Sequence, residues 1–116
     1  MTEVKKQTGA GESLAGQARK LADLVAYQEG AVVSRTVIDK KVGTVTLFAF
    51  DAGQGLSEHT APYDAFVFIA DGTAEISIAG QPLTAQAGDM VIMPANRPHA
   101  LRATTRFKML LVMIRA

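Results

Sequence analysis

The sequence predicts an all-β fold, an antiparallel sandwich or small barrel, with one short helix ahead of it. Three observations predict it. From Ala31 onward, short runs rich in Val, Ile, Thr and Phe recur at close spacing. Gly53, Gly55, Gly72, Gly80, Gly88, Pro94 and Pro98 punctuate those runs with turn residues. Before Gly30 the apolar residues follow a helical period instead.

The chain divides into residues 1–30, an N-terminal arm and helix, and residues 31–116, the barrel. Met1–Ser13 is polar and contains glycine, as a frayed arm does. Leu14, Ala18, Leu21, Ala22 and Val25 share one helical stripe. Ser13 is a ready N-cap and Gly30 a stop, so a helix is expected over about residues 14–27, packed against the outside of the barrel. The β-type runs are Ala31–Ile38, Gly43–Phe50, Ala65–Ile69, Ala74–Ile78, Met90–Met93 and Phe107–Ile114. Thr73–Ala87 reads as one run, a turn at Gly80 and a second short run. In the last strand Phe107, Met109, Leu111 and Met113 share one face, and Lys108, Leu110, Val112 and Ile114 the other. A strand apolar on both faces is covered on both. One face lines the core; the other needs the helix or a second subunit, and a homodimer is expected.

Size and composition exclude several classes. At 116 residues one domain is expected. Twelve basic against 11 acidic residues leave a net charge of +1, so neither a nucleic-acid nor a membrane partner is expected. With no cysteine there is no disulfide, thiolate metal site, Fe–S cluster or cysteine nucleophile. No apolar run approaches the roughly 18–20 residues of a membrane helix. Lys5, Lys6, Glu12, Arg19, Lys20 and Asp23 break Met1–Ala26, leaving no secretory h-region, and a cytoplasmic protein is expected. Gly53-Gln54-Gly55 is a turn rather than a phosphate loop, and Asp39-Lys40-Lys41 reads as a solvated hairpin tip.

The chemistry concentrates on two histidines, His59 and His99. Each follows a glycine at a recognisable distance: Gly53, five residues, His59; Gly88, five residues, Pro94, then His99. With Gly72 these six anchors resemble the cupin superfamily of small jelly-roll β-barrels. Its first motif is Gly, five residues, His-x-His, three or four residues, Glu, six residues, Gly. Its second is Gly, five residues, Pro-x-Gly, two residues, His, three residues, Asn. The resemblance covers about residues 40–115 and implies an antiparallel barrel with a site built on both motifs. This chain departs from the pattern at Ala61 for the second histidine, Ala65 (or Phe66 on the longer spacing) for the glutamate, Asn96 for the glycine and Ala103 for the asparagine. Asn tolerates positive φ, so Asn96 can still make the turn.

Metal-binding cupins hold Mn, Fe, Ni, Cu or Zn with three histidines and a glutamate; here His59 and His99 are the two metal donors the resemblance leaves. Catalytic metal sites usually hold at least three protein ligands, so a weak two-histidine site is expected at most, with no cofactor certain. Met93 and Met113 carry thioethers suited to Cu(I), but such methionines are ordinarily core filler. The two alanines also clear volume and polarity, leaving an apolar pocket with two imidazoles as polar fixtures, the usual make-up of a small-molecule site. His59, His99, Tyr63 and Gln54 are the expected ligand-binding residues, and Tyr63, Phe48, Phe66 and Phe68 the candidate aromatic walls. The first functional expectation is therefore a small-molecule-binding cupin. The second is a metal-dependent or metal-free cupin enzyme, of isomerase, epimerase or oxygenase type, acting on a sugar or small organic acid. Its metal-free form would use histidine as general acid or base, oriented by Asp64 or Glu58.

Overall fold

Alternating and doubly apolar segments become strands because each must bury at least one face, and register decides which. The structure is a computed structural model that describes residues 4–7 and 14–115. Among the described residues nine strands form: β1 Val4–Lys6, β2 Val32–Lys40, β3 Gly43–Phe50, β4 Gly55–His59, β5 Ala65–Ile78, β6 Gln81–Gln86, β7 Met90–Met93, β8 His99–Arg102 and β9 Phe107–Ile114. All pairings are antiparallel except that of β1, which runs parallel to β2. The arm expected to fray thus adds an edge strand. The rest of the arm lies outside the described residues.

The strand β5 belongs to two sheets. Its first half, Ala65 to Gly72, pairs with β7 and β9 and continues through β3 to β2 and β1. Its second half, Thr73 to Ile78, pairs with β6 and β8, and β8 carries β4. The corner is Gly72, whose φ of 75° only glycine adopts freely and whose α-carbon lies against the carbonyl of Arg106. The fold is the jelly-roll barrel expected of the sequence.

The barrel is packed shut at one end and open at the other. Phe50 and Phe107 stack at 4.3 Å near the Gly72 corner, and with Ala74 and Ala103 they are fully buried. Moving along the same inner faces, Leu111, Met113, Thr44 and Ile78 are only half-buried. Gly53, Gly72 and Gly88, all at positive φ, turn the chain at the closed end. His59 and His99 stand at the open end.

The helix expected over 14–27 shortens to a single 3-10 turn, Leu21–Leu24. Two causes are visible. Gly16 sits at a φ of 73°, which a helix does not contain. The barrel also claims the backbone groups a helix would use: Leu24 O accepts from Arg35 and from Gln7, and Ala22 O from Lys108. Its expected task survives. Leu24, Val25 and Ala31 are buried against Val33, Leu47 and Ala49 on the outer face of β2 and β3. A clasp fixes this strap: the Tyr27 hydroxyl donates to Asp71, and Arg106 and Lys108 lie over the Tyr27 ring. Asp51 accepts from Gly30 N–H and from Arg106, which hold its carboxyl below the usual range. Among the described residues no helix is long and apolar enough to cross a membrane.

Candidate functional site

His59, which stays exposed at the barrel mouth, meets His99 only because β4 is irregular. Leu56 pairs with Leu101 and His59 with His99, so three residues of β4 span two of β8. Leu56 and His59 are an odd number apart and would face opposite sides of a regular strand. The bulge at Ser57 and Glu58 turns His59 back to the inner face. His99 opens β8, alternating inward with Leu101 and Ala103, and is 5% exposed. The loop before it is tied to the loop after β4: Asn96 N–H donates to Ala61 O, and Ala95 N–H to the Asp64 carboxylate. Asn96 takes a φ of 65°, the conformation expected of it as a glycine substitute.

These constraints bring the two imidazoles together. Their Nε2 atoms are 3.0 Å apart and their rings meet edge-on, 4.3 Å between centroids. The other nitrogen of each ring faces a carbonyl: His59 Nδ1 lies 2.9 Å from Ser57 O, and His99 Nδ1 3.3 Å from Arg97 O. A carbonyl only accepts, so each Nδ1 must carry a proton to satisfy its contact. Two neutral rings then turn two lone pairs toward each other. The gap between them calls for a positive centre, either a third proton shared by the pair or a metal ion.

Protonation does not supply it readily. Burial, and secondly the neighbouring His59, push the His99 pKa below its ordinary value near 6.5, against the opposing pull of the Arg97 carbonyl. His99 is therefore neutral at neutral pH. The sign for stability follows. Below about pH 6.5 the unfolded imidazole takes up a proton that the native one refuses, so stability falls with pH until the lowered native pKa is reached. Urea titrations of metal-free protein are expected to show this slope, and a His99→Gln variant to lack it. A slope unchanged in the variant would refute the assignment.

The pair also fits a metal ion as far as two donors can. Two nitrogens at about 2.1 Å from one ion and at right angles are roughly 3.0 Å apart, and Nδ1–H bonds to carbonyls are the usual support for ligating histidines. The fit stops at two. Among the described residues no group of three His, Cys, Asp or Glu converges. Ala65 lies on the inner face, beside Met93 and Met113 in register, with no donor atom. The carboxylates expected to orient a histidine do not: Asp64 accepts from Ala95, Glu58 is exposed, and backbone carbonyls take that place.

Other expected site residues divide. Tyr63 is half-buried in the loop after β4, at the open end. Gln54 is not with the histidines. It stands at the closed end, where Ala103 N–H donates to its carbonyl, five residues along β4 and about 16 Å away at the usual strand rise. There it lines an open groove of about 340 Å³ with Gly53, Gly55, Leu56, Leu101 and Arg102. Phe48 faces inward against the core, whereas Phe66 and Phe68 alternate with buried Ala65, Val67 and Ile69 and face outward. Sequence reasoning missed Ile78, which register places beside His99; the signal was the inward parity it shares with Ile76.

Comparison with known proteins is consistent with this geometry. The Cupin_2 family, the cupin domain, matches residues 46–115. A protein of unknown function from Streptococcus pyogenes is 35% identical across 87% of this chain and 89% of its own, with a TM-score of 0.83. A Cupin 2 conserved barrel domain protein from Leptotrichia buccalis is 39% identical across 81% of this chain, with a TM-score of 0.79, and the chain spans 46% of its length. A cupin superfamily protein from Desulfitobacterium hafniense is 27% identical across 90% of this chain and 95% of its own, with a TM-score of 0.84. No curated protein matches.

Proposed function

The chain belongs to the cupin-domain family, and on that premise we propose that it binds a small molecule at the open end of its barrel. One observation carries this reading. The two Nε2 atoms, 3.0 Å apart, form a polar fixture at the unpacked end, on an inner surface otherwise lined by apolar side chains and by threonines such as Thr44 and Thr46. Ile78, Ala65, Met93 and Met113 supply shape, and the imidazoles supply direction. A cytoplasmic location is part of the proposal. So is a weak divalent transition-metal site on His59 and His99, which would offer a bound ligand a positive anchor.

Thermal unfolding tests this with a panel of small organic acids and sugars, each with and without Zn²⁺ or Ni²⁺. At 100 times its dissociation constant a ligand stabilises by about 2.7 kcal/mol, a rise on the order of 10 °C. The expected result is such a shift with at least one compound, lost in His59→Ala. Metal alone is expected to act only well above stoichiometric concentration. No shift with any compound overturns the binding reading.

A second reading, an enzyme acting on a sugar or small organic acid, has one observation in its favour. Both rings are oriented by carbonyls with Nε2 free to move a proton. Turnover of a panel compound, abolished in His99→Gln, would establish it. Tight stoichiometric metal in protein purified without added ions would favour its metal-dependent form.

A further inference from the structure

Toward the open end β3 is polar inside and apolar outside. Thr44 and Thr46 share the inner face with Phe48 and Phe50, while Val45, Leu47 and Ala49 face outward. A strand that lines a core normally shows the reverse, and valine or isoleucine would suit it as well as threonine. Register extends the polar patch onto β2, where Thr36 stands opposite Thr46 and Asp39 opposite Thr44. Asp39 is on this side because of a bulge. β2 carries one extra residue, Val37, between the pairs Thr36–Thr46 and Ile38–Val45, which reverses side-chain parity beyond it. In a regular strand Asp39 would share the outward side of Val33. The bulges of β2 and β4 thus each bring a polar side chain to the inner side at the mouth. Thr44 and Thr46 are half-buried and Thr36 and Asp39 exposed, so the patch is open to a solute.

We propose, resting on the small-molecule reading above, that the ligand is a neutral polyhydroxylated compound, a monosaccharide or cyclic polyol. It is held between the His59–His99 pair and the patch of Thr36, Asp39, Thr44 and Thr46. The chemistry of these groups selects the class. With each Nδ1 facing a carbonyl, both Nε2 atoms of the metal-free pair are acceptors, and so is the Asp39 carboxylate. Threonine hydroxyls both donate and accept. A polyol supplies donors to the imidazoles and the carboxylate, and meets the threonines in either sense. A carboxylic acid would bring further acceptors and a like charge to Asp39. Among the described residues no strand of the barrel turns a lysine or arginine inward to balance that charge; Arg97 and Arg115 lie beyond β7 and β9. An apolar ligand would cover the four patch groups without pairing them. Spacing agrees: opposite residues of paired strands stand about 5 Å apart and alternate residues of one strand about 7 Å, the scale of a sugar ring with its substituents.

Titration calorimetry of metal-free protein tests the proposal with aldopentoses, aldohexoses and inositols, set against cyclohexanol, hexanoate and the corresponding aldonic acids. At least one neutral polyol is expected to bind at least tenfold more tightly than its deoxy or acid counterpart. Thr46→Val and Asp39→Asn, both nearly isosteric, are each expected to raise that dissociation constant at least tenfold with unchanged circular dichroism. Thr84→Val, exposed on β6 and outside the patch, is expected to bind as the wild type does. Should Thr46→Val fold poorly, Asp39→Asn, at an exposed position, carries the test alone. Equal affinity for cyclohexanol, a preference for the acids, or full binding by the patch variants overturns this proposal and leaves small-molecule binding at the open end standing. No binding by any probe, acids and deoxy compounds included, overturns both.

Discussion

Replacing Phe107 by alanine is expected to destabilise the protein by about 3–5 kcal/mol, the range for truncating a fully buried aromatic. Phe107 has no exposed surface and stacks on Phe50 with planes 11° apart. Its register partners are Phe50 on β3 and Gly72 on β5, so it plugs the barrel where the two sheets diverge. Nothing nearby can collapse into the space: Ala74 and Ala103 are small, and Phe50 is held by its own strand. Urea unfolding should show the midpoint falling with an unchanged slope. Phe107→Leu, which keeps most of the volume, should cost under half as much. Equal losses for the two variants would show that the end is not packed as described. Neither change touches the histidine pair, so the pH slope assigned to His99 should persist in Phe107→Leu.

Gly72→Ala should lose a comparable amount, about 3–5 kcal/mol, for a different reason. A left-handed φ costs a non-glycine residue roughly 1–2 kcal/mol. At Gly72 an added Cβ would also stand 2.1 Å from the carbonyl oxygen of Arg106. That oxygen is backbone, at the entry to β9, and cannot rotate away. Gly80 separates the two causes. Its φ is 79°, and nothing lies within 4 Å of an added Cβ. Gly80→Ala should therefore show conformational strain alone, about 1 kcal/mol. If both variants lose the same stability, the close approach of β5 to β9 is not what requires glycine there.

Much of the fold was legible because its signals are local. Gly53, Gly72, Gly88 and Asn96 take positive φ as their residue types suggest. The apolar runs became β3, β7 and β9 at their expected limits, while Ala65–Ile69 and Ala74–Ile78, expected as two runs, joined through Gly72 into the single strand β5. β4 and β8 were not legible as strands: Gly55–His59 has one large apolar residue and His99–Arg102 one, too few to show a period. The strap misled because Leu14, Leu21 and Val25 fit a helical stripe as well as they fit an extended chain draped on a sheet. Arg35 and Lys108, distant in sequence, settled which.

By itself the sequence determined the barrel, the turns at its closed end and the loss of two donor positions at Ala61 and Ala65, because these depend on residue type at a given spacing. Tertiary structure alone decided that His59 faces inward, since the bulge at Ser57 and Glu58 exists only through pairing with β8. It decided equally that Gln54 lies at the far end, and that Phe66 and Phe68 look outward. Side-chain parity along a strand is a relative quantity. It acquires a direction only when a neighbouring strand fixes the register and a core takes one face.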